Sequence, residues 1–251
     1  MKLKSILMPL LFMAGLQTVM AQKVVLHMAD NQKFECSVSK LDSITFVDGA
    51  ADDSDVHEWV DLGLPSGTLW ATCNVGANSP EEYGDYFAWG ETEPKTDYSW
   101  SAYKYCMGSY DTMTKYCTSN YGTVDNKKEL EPSDDAATAN WGSGWQIPSL
   151  GQCDELLNID YTTKTWTAMN GKEGWHIISK SNGNSIFLPA AGGRGGTSLN
   201  DTRRYGYYWS RSLYTGNSGC ARYLGLRSSN ISMYYANRCY GFSVRPVRVK
   251  K

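Results

Sequence analysis

Residues 130–149 read LEPSDDAATANWGSGWQIPS and hold the two clearest helix starts in the chain. After Ser133, Asp134 and Asp135 fall in a first turn, where carboxylates favour the positive end of a helix dipole. At the far end Ser149 is followed by Gln152, a capping box placed before Leu156 and Leu157. Outward from these two short helices the pattern is strand and loop. Strand-like runs fall at 175–179, 185–188, 207–210, 221–226 and 242–249, separated by stretches of Gly, Ser, Asn and Asp. Few helices, many short strands and long loops predict an α+β domain over 59–251.

Upstream, residues 22–47 form a small β leader unit in which KVVLHMADNQKFECSVSKLDSITFV (23–47) reads as three short strands with a hairpin. Such a unit is too small to stand alone. The acidic, small-residue stretch DGAADDSDVHE (48–58) reads as a linker. At the start, Lys2 and Lys4 precede an apolar run over 6–16 and the small-residue end Val19-Met20-Ala21, the pattern of a signal peptide over 1–21. The expectation is export through Sec to the periplasm, the cell surface or the medium. The apolar run is shorter than the roughly 20 residues of a membrane-spanning helix, and no cysteine follows the cleavage point to carry a lipid. No direct membrane anchor is expected.

Aromatic residues make up 13% of the chain, with 9 Trp and 17 Tyr against 6 Phe. An excess of ring-plus-polar side chains over Phe favours half-wet recognition surfaces, since a plain core would use Phe as readily. The seven cysteines all lie downstream of the signal and meet an oxidising compartment. Cys106 and Cys117, which flank a Gly-Ser-Tyr-Asp turn, are the best local disulfide pair, with Cys220 and Cys239 second. No CxxC spacing points to zinc. The net charge is −2, yet it is segregated: up to Asp201 there are 14 basic and 26 acidic residues, and from Thr202 onward ten basic and no acidic ones. Because Arg245, Arg248, Lys250 and Lys251 follow a terminal strand pattern beside an acidic remainder, nucleic acid is not the expected partner.

Several stretches together carry a resemblance: VDLGLPSGTLWATCNVGA (60–77), GDYFAWGET (84–92), the 130–149 segment, NSIFLPAAGGRGG (184–196), YGYYWSRSL (205–213) and GFSVRPVR (241–248). They resemble the major paralogous domain named after Fibrobacter succinogenes, common in exported proteins of Bacteroidetes. That domain is similar in turn to the C-type-lectin-like fold shared with the formylglycine-generating enzyme. The resemblance implies that the two ends of the domain pair as strands, 60–71 near 242–249, and that intervening loops converge on one face. Loops on a rigid scaffold are where binding groups sit. The segment ending KLDSITFVD resembles a leader unit found before such domains.

Residues 203–240 hold eight Tyr and six Arg with no Lys, Asp, Glu or Gln. This composition resembles the variable region of target proteins diversified by retroelements, where randomised adenines in Asn codons yield Tyr, Ser, Arg, Cys, Asn and Gly. Tyr covers area with little rotamer loss and Arg offers a planar fork of donors, so both are favoured at contact surfaces. The expected ligand-facing set is Arg203, Arg204, Tyr205, Tyr208, Arg211, Tyr214, Arg222, Asn230, Tyr234, Tyr235, Asn237, Arg238 and Tyr240. Trp209, Leu224, Leu226, Ile231, Phe242 and Val244 are assigned to the core.

Catalytic and metal chemistries find weaker footing. Calcium-dependent sugar binding needs converging acidic and amide oxygens, and neither an EPN or QPD triplet nor WND is present. The copper-binding cysteine pair of the formylglycine-generating relatives has Cys220 and Cys239 as its late candidates, both inside the suspected variable stretch. The histidines, His27, His57 and His176, have no G-x-S-x-G elbow to serve. GGRGG (192–196) lacks the Lys-Ser/Thr of a phosphate loop and reads as a turn-forming loop. The expectation is a non-catalytic, cofactor-free module that binds a protein or glycan through 203–240. A structural or assembly protein of the cell envelope is the alternative, with a formylglycine-generating type of enzyme behind it.

Overall fold

The structure is a computed structural model that describes residues 57–249 and, before them, the backbone of two strands. These are β1 (Lys23–His27) and β2 (Lys33–Ser37), an antiparallel pair in register from Lys23 opposite Ser37 to His27 opposite Lys33. The signal segment over 1–21, the third strand expected near 44–47 and the linker up to residue 56 lie outside the described residues. The chain divides into two compact units, Met1–Gly49 and Ala50–Lys251, and the second carries everything below.

That unit is α+β, with its strands in small sheets. Its two ends meet: β3 (Trp59–Asp61) and β4 (Thr68–Ala71) pair antiparallel, and the other edge of β4 takes the last strand of the chain, Val247–Val249. Every side chain of Thr-Leu-Trp-Ala in β4 is buried, as expected of a central strand covered on both faces.

The helices form where the sequence places them, with one change of cap. Pro132–Asp134 is a 3₁₀ turn, and α1 (Ala136–Trp141) is capped by Asp135 rather than Ser133. Asp135 Oδ1 accepts from the amides of Ala137 (2.9 Å) and Thr138 (3.1 Å). Both its oxygens also accept from the amide of Ile147, tying the GWQIPS loop to the helix start. Asp134 turns inward and accepts from the hydroxyls of Tyr105 and Tyr116 and from Lys115. The second helix, α2 (Leu150–Leu157), opens on the reciprocal Ser149–Gln152 capping box.

Burial pushes the Asp135 carboxyl up to about 6, against the pull of the Ile147, Thr138 and Ala137 amides. A carboxyl raised on folding binds its proton more tightly in the folded state. Its contribution is therefore full below the unfolded value near 4 and is lost as pH rises through about 6. Asp134 and Asp125 are held low and act the opposite way, losing their contribution as pH falls below the ordinary carboxylate range. Urea unfolding as a function of pH should therefore show a decline between about 4 and 6, on the order of 2 kcal/mol. Asp135→Asn, still a competent cap, should remove that slope, and an unaltered slope in the variant would locate the titration elsewhere.

Three strands, β5 (Thr162–Met169), β6 (Lys172–Ser179) and β7 (Ser185–Pro189), follow as an antiparallel meander. The β5–β6 turn is Asn170-Gly171, both at positive φ (47° and 76°), the backbone a two-residue type I′ hairpin requires. Glycine-rich GGRGG, read above as a loop, instead starts a small hairpin of β8 (Gly193–Gly195) and β9 (Ser198–Asn200). The last sheet comprises β10 (Tyr205–Leu213), β11 (Cys220–Arg227) and β12 (Asn230–Asn237), with β11 in the middle; Val247–Val249 is β13.

Two hydrophobic clusters hold the unit together. One gathers Trp89, Trp141, Trp145, Trp209, Phe87, Phe242 and the rings of Tyr103 and Tyr116. The other gathers Leu62, Trp70, Leu156, Ile177, Leu188, Tyr208, Leu224 and Leu226. The second fills the space between α2, the β5–β6–β7 meander and one face of the β10–β11–β12 sheet.

Candidate binding groove

Period-two alternation sorts the side chains of the last sheet onto two faces. Across the three strands the pairs run Tyr205, Arg227, Asn230, then Tyr207, Gly225, Ser232, then Trp209, Tyr223, Tyr234. These share one face, which turns outward at Tyr205, Tyr207, Tyr223 and Tyr234 and is covered over Trp209 by the first core cluster. Tyr208, Leu224 and Met233 share the other, against the second core cluster.

On the outward face the rings form a row. Tyr205 and Tyr207, two residues apart on β10, lie parallel at 6.2 Å, Tyr207 meets Tyr223 edge-on at 5.7 Å, and Tyr223 meets Tyr234 at 5.8 Å. Phe242 forms the floor, 5.0 Å from Tyr207 and 5.1 Å from Tyr223. Gly225 makes the row possible, because a Cβ there would stand 2.6 Å from the Tyr234 ring and 3.1 Å from that of Tyr223.

The surface over this row is a chain of concavities that share walls. One of about 350 Å³ lies between the β8–β9 hairpin and the sheet, lined by Arg194, Asn200, Asp201, Tyr207, Tyr223, Tyr240 and Phe242. The next, about 240 Å³, shares Tyr207 and Tyr223 and adds Tyr205, Arg227 and Tyr234. A third, about 480 Å³, shares Tyr205 and Arg227 and adds Arg203, Arg204, Glu173, Ser228, Ser229 and Trp166. Together they form one open groove with aromatic walls in its middle and arginines at both ends.

Hydrogen bonds fix several of these walls. Tyr207 donates to Asp201 at 3.1 Å, and burial, reinforced by the Asp201 charge, pushes its phenol far up. Tyr223 is pushed up by burial and by neighbouring Tyr234. Arg227 and Asn230 both donate to the Tyr234 hydroxyl, at 3.0 and 2.9 Å. Asn237 donates to the Tyr240 hydroxyl at 3.3 Å. The groove thus offers phenols, guanidinium groups and two carboxylates, Asp201 and Glu173.

The thirteen residues assigned to a ligand face do not stay together. Arg203, Arg204, Tyr205, Tyr234 and Tyr240 line the groove, and Asn230 and Asn237 brace two of its hydroxyls. Tyr214, Arg222 and Tyr235 form a separate stack, with Tyr214 and Tyr235 parallel at 4.0 Å and Arg222 4.7 Å over Tyr214. Arg211 ties β10 to the helix region, donating to Glu129 at 2.9 Å and to Gln146.

Two assignments are overturned. Tyr208 is 2% exposed and donates to the Pro189 carbonyl at 2.6 Å, because its odd-even position sends it inward. Arg238 is fully buried and held by Tyr103, the carbonyls of Lys115, Tyr116 and Ser218, and the faces of Trp89, Tyr103 and Tyr116. It lies just beyond β12, where the chain turns back into the core.

Groove residues that escaped the sequence reading include Tyr207, Tyr223, Arg227, Arg194, Asn200, Asp201 and Glu173. The signal for Tyr207 was present, two residues after Tyr205 on one strand. Nothing local marks Arg194 or Asp201, which arrive from a hairpin that only the tertiary fold brings alongside.

The expected disulfides are separate thiols in the structure. Cys106 pairs across its loop with Met113, not Cys117, and its Sγ donates to the Trp100 carbonyl; Cys117 donates to the Ser119 carbonyl. Cys220 stands opposite Asn237, which leaves Cys239 two residues beyond the pair. Among the described residues, no helix is long and apolar enough to cross a membrane. Comparison with known proteins finds no matching family model, no similar curated protein and no matching solved structure.

Proposed function

We propose that this protein is an exported, non-catalytic binding module that holds a protein or glycan in the tyrosine-lined groove of its last sheet. In this reading the α+β unit is a C-type-lectin-like domain of the Fibrobacter succinogenes major paralogous type, and 203–240 is the segment that varies among diversified copies. The observation that carries the proposal is the continuous row Tyr205, Tyr207, Tyr223 and Tyr234 over Phe242, open to solvent along its length and flanked by Arg194, Arg203, Arg204 and Arg227. Rings of this kind supply contact area at low entropic cost, and concave sites with a few fixed polar groups are the usual form of a ligand seat. Tyr207, Tyr234 and Tyr240 combine a packed ring with a hydroxyl on a polar partner, while Tyr86, Tyr98, Tyr103, Tyr105, Tyr116 and Tyr208 are core rings, so the Tyr-over-Phe bias is shared between groove and core.

An array of glycans and extracellular proteins, probed with the protein and two variants, tests this. Gly195→Trp fills the first concavity without disturbing the backbone, for a Cβ at Gly195 stands 3.8 Å from the Tyr240 ring and φ there is not left-handed. Tyr234→Ala/Tyr240→Ala removes two partly exposed walls. Both should lose binding by about tenfold or more, equivalent to about 1.4 kcal/mol, with unfolding midpoints close to the parent's. Equal binding by all three proteins would place the ligand elsewhere.

A further inference from the structure

The groove is unequal along its length, and its most polar part is the concavity of about 480 Å³ at the Arg203 end. Arg203, Arg204 and Arg227 face it with Glu173 as the single carboxylate, which leaves two positive charges in excess. Arg203 reaches Glu173 only at 3.8 Å and keeps its side chain 64% exposed, so its guanidinium donors remain available. The turn that presents it is conformationally expensive: Asp201 and Arg203 both hold positive φ, 64° and 68°, without being glycine. Strain of this sort, about 1 kcal/mol or more per residue, persists where surrounding structure fixes a functional placement. Here the fixing bonds are Arg203 N–H to the Ala190 carbonyl at 2.7 Å and Tyr205 N–H to the Asp201 carbonyl at 3.0 Å.

Next to this cationic end the groove offers aromatic rings, but little free backbone along β10 and β8. The carbonyls of Tyr205 and Tyr207 already accept from Gly192 and Ser243, and Arg194 and Gly241 exchange both of their bonds. A peptide that binds by adding a strand to a sheet edge would find the edges of β10 and β8 occupied. A chain of sugar rings needs no backbone partner: its flat C–H faces lie on aromatic rings, its hydroxyls take Asn200 and Asp201, and acidic substituents take planar guanidinium forks.

Resting on the groove reading above, we propose that the ligand is an acidic polysaccharide, with its carboxylate or sulfate groups held by Arg203, Arg204 and Arg227 and its sugar rings laid along Tyr205, Tyr207 and Tyr223.

Affinity electrophoresis or calorimetry with three probes tests it: polygalacturonate, neutral dextran and poly-glutamate. Polygalacturonate should bind at least about tenfold more tightly than either other probe. Its binding should weaken steeply between about 0.05 and 0.5 M salt, as screening shortens. Arg203→Ser/Arg204→Ser changes two exposed side chains and should cost about tenfold or more in polygalacturonate affinity while leaving the urea midpoint in place. Gly195→Trp should weaken it as well. Dextran binding equal to polygalacturonate, with the arginine variant unaffected, would overturn the anionic assignment while leaving the groove intact. Poly-glutamate binding as tight as polygalacturonate would make the occupant a peptide and overturn the proposal. Binding that survives Gly195→Trp, or no binding of any probe, would overturn it as well, and the array result for the groove variants then judges the broader reading separately.

Discussion

Replacing Arg238 with Ala is expected to cost the fold about 4 kcal/mol, enough to unfold a marginal domain, because it removes a buried cation whose Nε and Nη1 serve several buried acceptors. Its Nε donates to the Tyr103 hydroxyl at 2.9 Å, and its Nη1 reaches the carbonyls of Lys115 and Ser218 at 3.1 and 3.0 Å. The guanidinium plane sits 4.8 Å from Trp89 and 5.3 Å from Tyr103, where the ring faces stabilise a desolvated cation by about 2 kcal/mol. Alanine would leave those acceptors without donors at about 1–3 kcal/mol each and open a cavity among large rings. Lysine should rescue little, since one ammonium cannot span acceptors arranged for a planar fork. Urea unfolding of Arg238→Ala and Arg238→Lys checks this. A loss below about 1 kcal/mol in either would mean that the site is not the anchor described.

What could be read from the sequence was what local chemistry controls. The Ser149–Gln152 capping box forms as spaced, and the α+β class follows from short strands and Gly-rich loops. The site was legible as a region but not as a surface. Residues 203–240 do build the groove sheet, yet a density of Tyr and Arg says nothing about which side of a strand each occupies. Alternation decides that, and it sends Tyr208 in while Tyr205 and Tyr207 point out. Strand β5 was missed because its Thr-rich, half-polar run lacks an apolar core signature, although Asn170-Gly171 marked the turn. Register likewise separates Cys106 from Cys117, a distance along the chain that spacing alone cannot convert into a distance in space. The burial of Arg238 had no local signal, for its partners come from residues 89–116 and from Ser218.

The alternation itself makes the second large prediction, a dissociation of stability from recognition between residues on one sheet. Tyr208→Ala should lose about 4 kcal/mol, because a fully buried ring leaves a cavity among Leu224, Leu226 and Leu188 and the Pro189 carbonyl loses its donor. Tyr208→Phe keeps the ring and should lose only the hydrogen bond, about 1 kcal/mol, with ligand affinity unchanged. Tyr234→Ala should behave in the reverse way. Its ring is half-buried on the outward face and its hydroxyl is bonded to the surface side chains Arg227 and Asn230, so stability should fall by about 1 kcal/mol or less while binding weakens measurably. Chemical denaturation and ligand titration on the same three proteins measure both quantities together. Were Tyr208→Phe to abolish binding with its stability intact, the inward face of the sheet would have to reach the ligand, and the groove would be on the wrong side.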